Sequence, residues 1–308
     1  MIYRPLLEEV ESIISQRQYS DQEIGFDDSA QLVGLSCDGL ISDIPAVTIS
    51  GWPNFNQCFG GFRSNEFSVL CGTSGTGKTT FLANLSAHLL LQNVPHFVAS
   101  VETGPHDYVL RTISALSAKD YNSGDKFSKE EIEMLIKRMS PIFKRGLLKV
   151  SQYISKIDPK RILCDLLYAR KEYGCKIALL DNLNFFMPFV DFEKSNSALD
   201  KTIHDFVMFC KNIDMHIVMV MHPRKKEDAD GCARVDSEYD IKGSSTIIQE
   251  SHNVILLNKP TKKQAENGYS QESHREITFA KLRRRGAYTG KRIMFENVES
   301  KYFERSFV

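Results

Sequence analysis

Eight consecutive residues, Gly72-Thr73-Ser74-Gly75-Thr76-Gly77-Lys78-Thr79, carry the sharpest chemical signal in the chain. They satisfy G-x-x-x-x-G-K-[ST] at every fixed position. Glycines at that spacing let the backbone close tightly, so that its N–H groups converge on an anion. The lysine can reach the β- and γ-phosphates of a nucleotide, and the threonine hydroxyl suits Mg²⁺. The pattern predicts a phosphate cradle over Gly72, Thr73, Ser74, Gly75, Thr76, Gly77, Lys78, Thr79 and Thr80. Its expected ligands are ATP, or another nucleoside triphosphate, and Mg²⁺. The alternative is a glycine-rich turn that binds nothing.

Other residues could complete such a site. Asp181 closes the apolar run Ile177-Ala178-Leu179-Leu180. A carboxylate there can hold the Mg²⁺ hydration shell beside Thr79, although aspartates are also common as caps and in turns. Glu102 follows His96–Val101 and could orient or deprotonate the water that attacks a γ-phosphate, or could simply be a solvated strand end. His222 follows Ile217–Met221 and could sense the γ-phosphate, or be structural. In Lys281-Leu282-Arg283-Arg284-Arg285-Gly286 a strand would place Lys281 and Arg283 on one face. Two cations projecting together suit a nucleotide's phosphates, and an arginine can act across a subunit boundary. A basic hairpin in solvent is the competing reading. Residues 223–244 mix Arg224, Lys225, Lys226, Arg234 and Lys242 with Glu227, Asp228, Asp230, Asp236, Glu238 and Asp240. The mixture suggests a solvated loop, and its charge pattern does not by itself establish phosphate binding.

Elements must position these groups. Phe67–Cys71 is apolar and rich in strand formers, and the helix after the glycine loop carries Phe81, Leu82, Leu85, His88 and Leu89 on one face. Further strands are predicted at His96–Val101, Ile177–Asp181, Ile217–His222, His252–Leu257 and Ile277–Lys281, with a terminal hairpin over Lys291–Glu296 and Tyr302–Glu304. Between them, Ser128-Lys129-Glu130-Glu131 reads as a capping box and Asp158-Pro159 as a helix start that runs to Gly174. Strands alternating with helices predict an α/β fold with a mainly parallel central sheet flanked by helices. In such sheets the site lies at the carboxyl ends of the strands, where Glu102, Asp181 and His222 all fall. Residues 4–18 predict a helix with Leu6, Leu7, Val10, Ile13 and Ile14 on one face, followed by a linker over 19–45. The division expected is 1–46 as a helical arm and 47–308 as one nucleotide-binding domain. The arm packs either on its own domain or on a neighbouring subunit.

The whole chain has 308 residues, 42% hydrophobic and 25% charged, as an ordinary globular protein does. Lys+Arg and Asp+Glu are both 39, which argues against an overall basic coat for nucleic acid but leaves room for a local channel. Seven cysteines form no C-x-x-C pair, so no zinc ribbon is expected, and the odd count suits a reducing compartment. No apolar run is long enough to span a membrane, and Glu8, Glu9 and Glu11 lie where a signal peptide would be basic. The expected location is cytoplasmic.

Taken together, the motifs resemble the RecA-like domain of DnaB-type replicative helicases, and within them the Twinkle helicase and phage primase–helicase branch. The resemblance covers roughly residues 48–298. It rests on Gly51-Trp52 and Gly60-Gly61, on Gly72 to Thr79, on Ser100-Val101-Glu102, and on Asp181-Asn182-Leu183-Asn184-Phe185. It continues through His222-Pro223-Arg224-Lys225, Gly243-Ser244 with Gln249-Glu250-Ser251-His252-Asn253-Val254, and Lys281-x-Arg283 with Gly286 and Gly290. The resemblance implies a hexameric ring of identical subunits that binds ATP between them and moves 5′ to 3′ on single-stranded DNA. It implies Glu102 as general base, His222 as γ-phosphate sensor, and Lys281 and Arg283 as groups reaching a neighbour's ATP. It implies DNA contacts from Arg224, Lys225, Lys242, Gly243 and Ser245, and a primase or loader as a separate partner. Four positions depart from the pattern: His252 stands where the family usually has alanine, Lys242 replaces an arginine seen in some relatives, and Arg284 and Arg285 add charge. No zinc-binding cysteine set precedes residue 48, so primase activity is not expected of this chain. The readings left beside a helicase are a recombinase-type or signalling ATPase and a nucleotide-binding ring or loader that does not unwind.

Overall fold

The computed structural model describes residues 3–15, 47–121, 127–153, 155–187, 195–224, 234–242 and 244–307. Apolar runs of five or six residues give the strands at its centre: β1 (Phe67–Cys71), β2 (His96–Ser100), β4 (Ile177–Asp181) and β5 (His216–Met221), each buried along its whole length. Strands buried on both faces are what a parallel sheet covered by helices requires. With β3 (Leu148–Val150), β6 (Asn253–Asn258), β7 (His274–Leu282), β8 (Arg292–Val298) and β9 (Lys301–Phe307) they form one sheet in the order β3-β2-β4-β5-β1-β6-β7-β8-β9. The pairings from β3 to β6 are parallel, whereas β7, β8 and β9 continue the sheet antiparallel. The expected parallel core and terminal hairpin are both present.

Register aligns the strand ends. Cys71 of β1 pairs with Met221 of β5, and Ser100 of β2 pairs with Asp181 of β4. The residues that follow, Gly72, His222 and Glu102, therefore share one edge with Asp181. At the other edge, Leu282 of β7 lies opposite Asn253, the first residue of β6. Because β7 runs backwards, Lys281 and Arg283 stand at the amino-terminal edge of the parallel strands.

The helices are α1 (Tyr3–Ser15), α2 (Pro53–Phe59), α3 (Lys78–Leu91), α4 (Pro105–Ser117), α5 (Lys129–Phe143), α6 (Pro159–Tyr173), α7 (Ser195–Asn212), α8 (Ser244–Glu250) and α9 (Lys262–Glu266). Their ends follow local chemistry. Ser128 and Glu131 exchange side chain-to-backbone bonds at the start of α5, satisfying two of the free N–H groups of that helix end. Asp158 caps α6, with Pro159 as its first residue and Gly174 at φ 64° as its stop.

Two cores cover the two faces of the sheet. One is aromatic: Trp52 stacks on Phe81 of α3 at 5.2 Å and meets Phe295 of β8 edge-on at 4.9 Å. The Trp52 indole N–H donates to the Tyr302 carbonyl (3.3 Å), so the segment before β1 is tied to the last strand beneath α3. The other core packs α6 and α7 on the sheet, and α1 lies on it with Val10 and Ile13 buried. Lys171 pairs with Glu9 at 2.5 Å and Lys160 with Glu11, so α1 is seated on its own chain. The linker expected over 19–45 lies outside the described residues. Among those described, no helix is long and apolar enough to cross a membrane.

Candidate functional site

The glycine loop leaves β1 and enters α3 as its spacing predicts. At Gly72 a Cβ would stand 2.5 Å from the Leu257 carbonyl oxygen, which excludes any side chain. Gly77 has φ 90°, and a Cβ there would meet the Tyr302 hydroxyl at 2.7 Å. Lys78 is only 7% exposed, and its Nζ donates to the Thr73 carbonyl at 2.8 Å. Burial holds its pKa below the usual lysine value, against the pull of Asp181.

Thr79 and Asp181 meet as expected: the Thr79 hydroxyl donates to Asp181 Oδ2 at 2.6 Å. Asp181 Oδ1 is buried and has no hydrogen-bond partner among the described residues. Burial pushes the Asp181 carboxyl up to about 6, with the Thr79 bond opposing the shift. A buried carboxylate with one oxygen unengaged, beside a hydroxyl, is a hard-oxygen pair of the kind Mg²⁺ takes from a protein.

Glu102 and His222 come together through a residue to which the sequence reading assigned no role. Asn182 Nδ2 donates to Glu102 Oε2 at 2.5 Å and lies 3.0 Å from His222 Nε2. The His222 and Glu102 side chains are themselves 3.9 Å apart. Burial, and then the Lys78 charge, hold His222 below the ordinary histidine value. A cleft of about 320 Å³ is lined by Lys78, Thr79, Glu102 and His222, together with Arg111 and Arg275.

Arg275 and Arg111 were not legible as site residues. Arg275 Nε donates to the Thr76 carbonyl at 2.8 Å, bracing the loop from the start of β7. Arg111 projects from α4, and its Nε is buried with no hydrogen-bond partner among the described residues. Its place nine residues after Glu102, on a helix leaving the same strand, is the only signal the sequence offered for it. Arg275 had no local signal.

Lys281 and Arg283 do not line this cleft. Lys281 Nζ donates to the Ser251 carbonyl at 2.8 Å and to that of Ile248, and Arg283 Nη2 donates to the Gln249 carbonyl at 2.7 Å. Both cations cap the carboxyl end of α8, where a helix favours positive charge. They share a face, as the strand spacing predicts, at the sheet edge remote from Lys78.

The loop after His222 is described at its two ends. The Lys242 N–H donates to the His222 carbonyl at 3.3 Å, and the Arg224 N–H to the Asp240 carbonyl at 2.7 Å. The Lys242 side chain is exposed. Lys225, Gly243 and the Ser245 side chain lie outside the described residues.

A family model of the DnaB-like helicase C terminal domain matches residues 48–304. Among solved structures, one of an isolated ATPase domain superposes with a TM-score of 0.74 at 14% identity, covering 92% of this chain and 100% of that one. A DnaB-like replicative helicase, solved in a study of its interactions with primase, gives 0.72 at 13% identity, covering 99% of this chain and 75% of that one. Both likenesses are of fold. The family match covers most of the chain and includes every residue of the cleft: the chain belongs to the DnaB-like helicase family and carries its ATP-hydrolysing motor domain.

Proposed function

We propose that this chain is the motor of a ring-shaped helicase that moves 5′ to 3′ along single-stranded DNA, within the Twinkle branch of the family. One observation carries the reading. Four chemically distinct groups, Lys78, the Thr79–Asp181 pair, Glu102 and His222, meet at one edge of the sheet, and Lys281 with Arg283 stands at the other. A single chain thus holds the two halves of a nucleotide site facing away from each other, and a ring of copies brings them together.

In this reading the backbone N–H groups of Ser74 to Thr79 receive the phosphates of ATP. Lys78 leaves the Thr73 carbonyl to reach the β- and γ-phosphates. Thr79 and Asp181 would hold Mg²⁺, which when bound neutralises charge on the β- and γ-phosphate oxygens. Glu102 takes a proton from the attacking water, and His222 registers the γ-phosphate. Lys281 and Arg283 exchange carbonyls of their own chain for the neighbour's nucleotide. Contacts to the single-stranded DNA are assigned to Arg224, Lys225, Lys242, Gly243 and Ser245, and a primase or loader acts as a separate partner. The α1 arm docks a neighbour only if it trades its seat on its own α6 and α7 for the equivalent seat next door.

The test is strand displacement on forked duplexes with a 5′ or a 3′ tail, alongside turnover with and without a single-stranded oligonucleotide. The proposal expects ATP-dependent displacement of the 5′-tailed fork and turnover raised by single strands. Turnover indifferent to DNA with no displacement would instead indicate a nucleotide-binding scaffold.

A further inference from the structure

Asn182 bonds to two of the residues that line the cleft, Glu102 and His222, and has no part in the chemistry so far. It is 2% exposed, directly after the last residue of β4. Its orientation is fixed: Oδ1 accepts the Asn184 N–H at 3.1 Å, so the NH₂ end must face Glu102 and His222. An amide nitrogen carries two protons. One serves Glu102 Oε2 at 2.5 Å, and the other points to His222 Nε2 at 3.0 Å.

The chemistry of that arrangement is specific. His222 Nε2 can accept from the amide only as a bare nitrogen, in the neutral ring with its proton on Nδ1. A nitrogen that accepts from Asn182 cannot at the same time donate to a phosphate oxygen. Reading a γ-phosphate through Nε2 therefore requires His222 to leave Asn182, by turning or by changing tautomer. The amide proton it releases stays beside the Glu102 carboxylate. The His222 carbonyl also accepts the Lys242 N–H, and Pro223 bridges to Ile241, so movement at the loop ends acts on the same histidine.

We propose that Asn182 is a positioning residue that ties His222 to Glu102, so that the state of the sensor sets the placement of the base. This rests on the reading of Glu102 as base and His222 as sensor. The link consists of two hydrogen bonds from one nitrogen, and it breaks when either is removed.

The test is a double-mutant cycle on ATP hydrolysis in the full chain, with Asn182→Ala, His222→Ala and the pair. Asn182→Ala should lower kcat by about 10- to 100-fold, as a displaced catalytic group does, while KM for ATP stays within about twofold. If the two residues act as one unit, the double variant should be no slower than the slower single variant, within about twofold. Losses that multiply would overturn the link, as would an unchanged kcat or a change confined to KM. Asn182→Asp is the second variant, nearly isosteric but without either donor. It should lose at least as much as Asn182→Ala, and wild-type turnover in it would overturn the proposal even if Asn182→Ala did not fold. Controls separate this from the underlying reading. Full activity in Glu102→Gln or His222→Ala defeats the roles of those residues, whereas strong losses in both with multiplying losses in the cycle defeat only the link.

Discussion

Lys78 and Glu102 occupy one cleft and answer different questions. Lys78 touches the Thr73 carbonyl and the Asp181 field, and it belongs to neither hydrophobic core. Lys78→Ala should therefore fold, as judged by circular dichroism, and lose hydrolysis, because the charge on the β- and γ-phosphates is gone. A folded Lys78→Ala protein with wild-type turnover would remove the basis for any nucleotide chemistry here. Glu102→Gln keeps the shape of the side chain and an oxygen able to accept the Asn182 amide, but it cannot take a proton from water. Its turnover should fall by about 10²–10⁴, with binding of a fluorescent ATP analogue retained. Normal hydrolysis by Glu102→Gln would place the base elsewhere. The difference between the two variants, lost phosphate contact against lost proton transfer, is visible only if binding and turnover are measured separately.

At the scale of elements, the parallel strands carry a second feature at their amino-terminal edge. His96 opens β2, His216 opens β5 and His252 precedes β6, and His88, half-buried on α3, packs edge-on against Trp52. Burial depresses all four, His88, His96 and His252 to about 4 and His216 to about 3. His216 shows why: its ring is bonded to Ser68 Oγ and the Arg63 carbonyl inside the sheet, with no room for a solvated charge. Unfolded, each titrates near 6.5, so the stability these rings confer is present above about 6.5 and is lost as pH falls towards about 4. Urea midpoints of the nucleotide-free protein should drop through that window, because near pH 5 the four rings together take up close to four protons on unfolding, whereas Asp181, raised to about 6, releases at most one. A flat midpoint from pH 7 to 4.5 would mean that these rings are not held neutral in the fold. The same element scale explains what the sequence disclosed. Strand–loop–helix is local, and parallel register then brings Glu102, Asp181 and His222 to one edge, so those residues could be named from their position after apolar runs. Asn182 could be read in the string but not in its role, because that role needs three strands in register. Arg275 reaches Thr76 across 199 residues through an antiparallel strand, and no local pattern encodes such a contact. The stripe on α1 announced a buried face, whereas which surface it covers depends on the partners Glu9 and Glu11 find on α6.

The whole molecule is polar in one sense that matters for activity. Its cleft lies at the carboxyl edge of the parallel strands, and Arg283 lies at the opposite edge with its side chain on the Gln249 carbonyl. No rotation of one side chain spans that separation, since each five-residue strand is itself about 16 Å long. If Arg283 stabilises the transferring phosphoryl group, it must do so on another copy of the chain, where such an arginine can contribute about 10³–10⁵ in rate. Arg283→Ala should then bind ATP and hydrolyse it poorly, and Lys281→Ala should behave alike but less severely. The decisive measurement mixes Arg283→Ala with Lys78→Ala, each inactive alone. In a mixed assembly some interfaces join an intact Lys78 from one subunit to an intact Arg283 from its neighbour. Those interfaces should recover hydrolysis, in proportion to their number if they fire independently. Subunit exchange is verified first, with one variant labelled. If exchange occurs and no mixing ratio restores turnover, either Arg283 acts only within its own chain, through its contact with the Gln249 carbonyl, or firing is strictly concerted. Mixing Arg283→Ala with wild-type chain separates the two, because a concerted ring is silenced by a single defective subunit whereas independent sites lose activity in proportion. Full activity in an isolated monomer would exclude the shared site altogether.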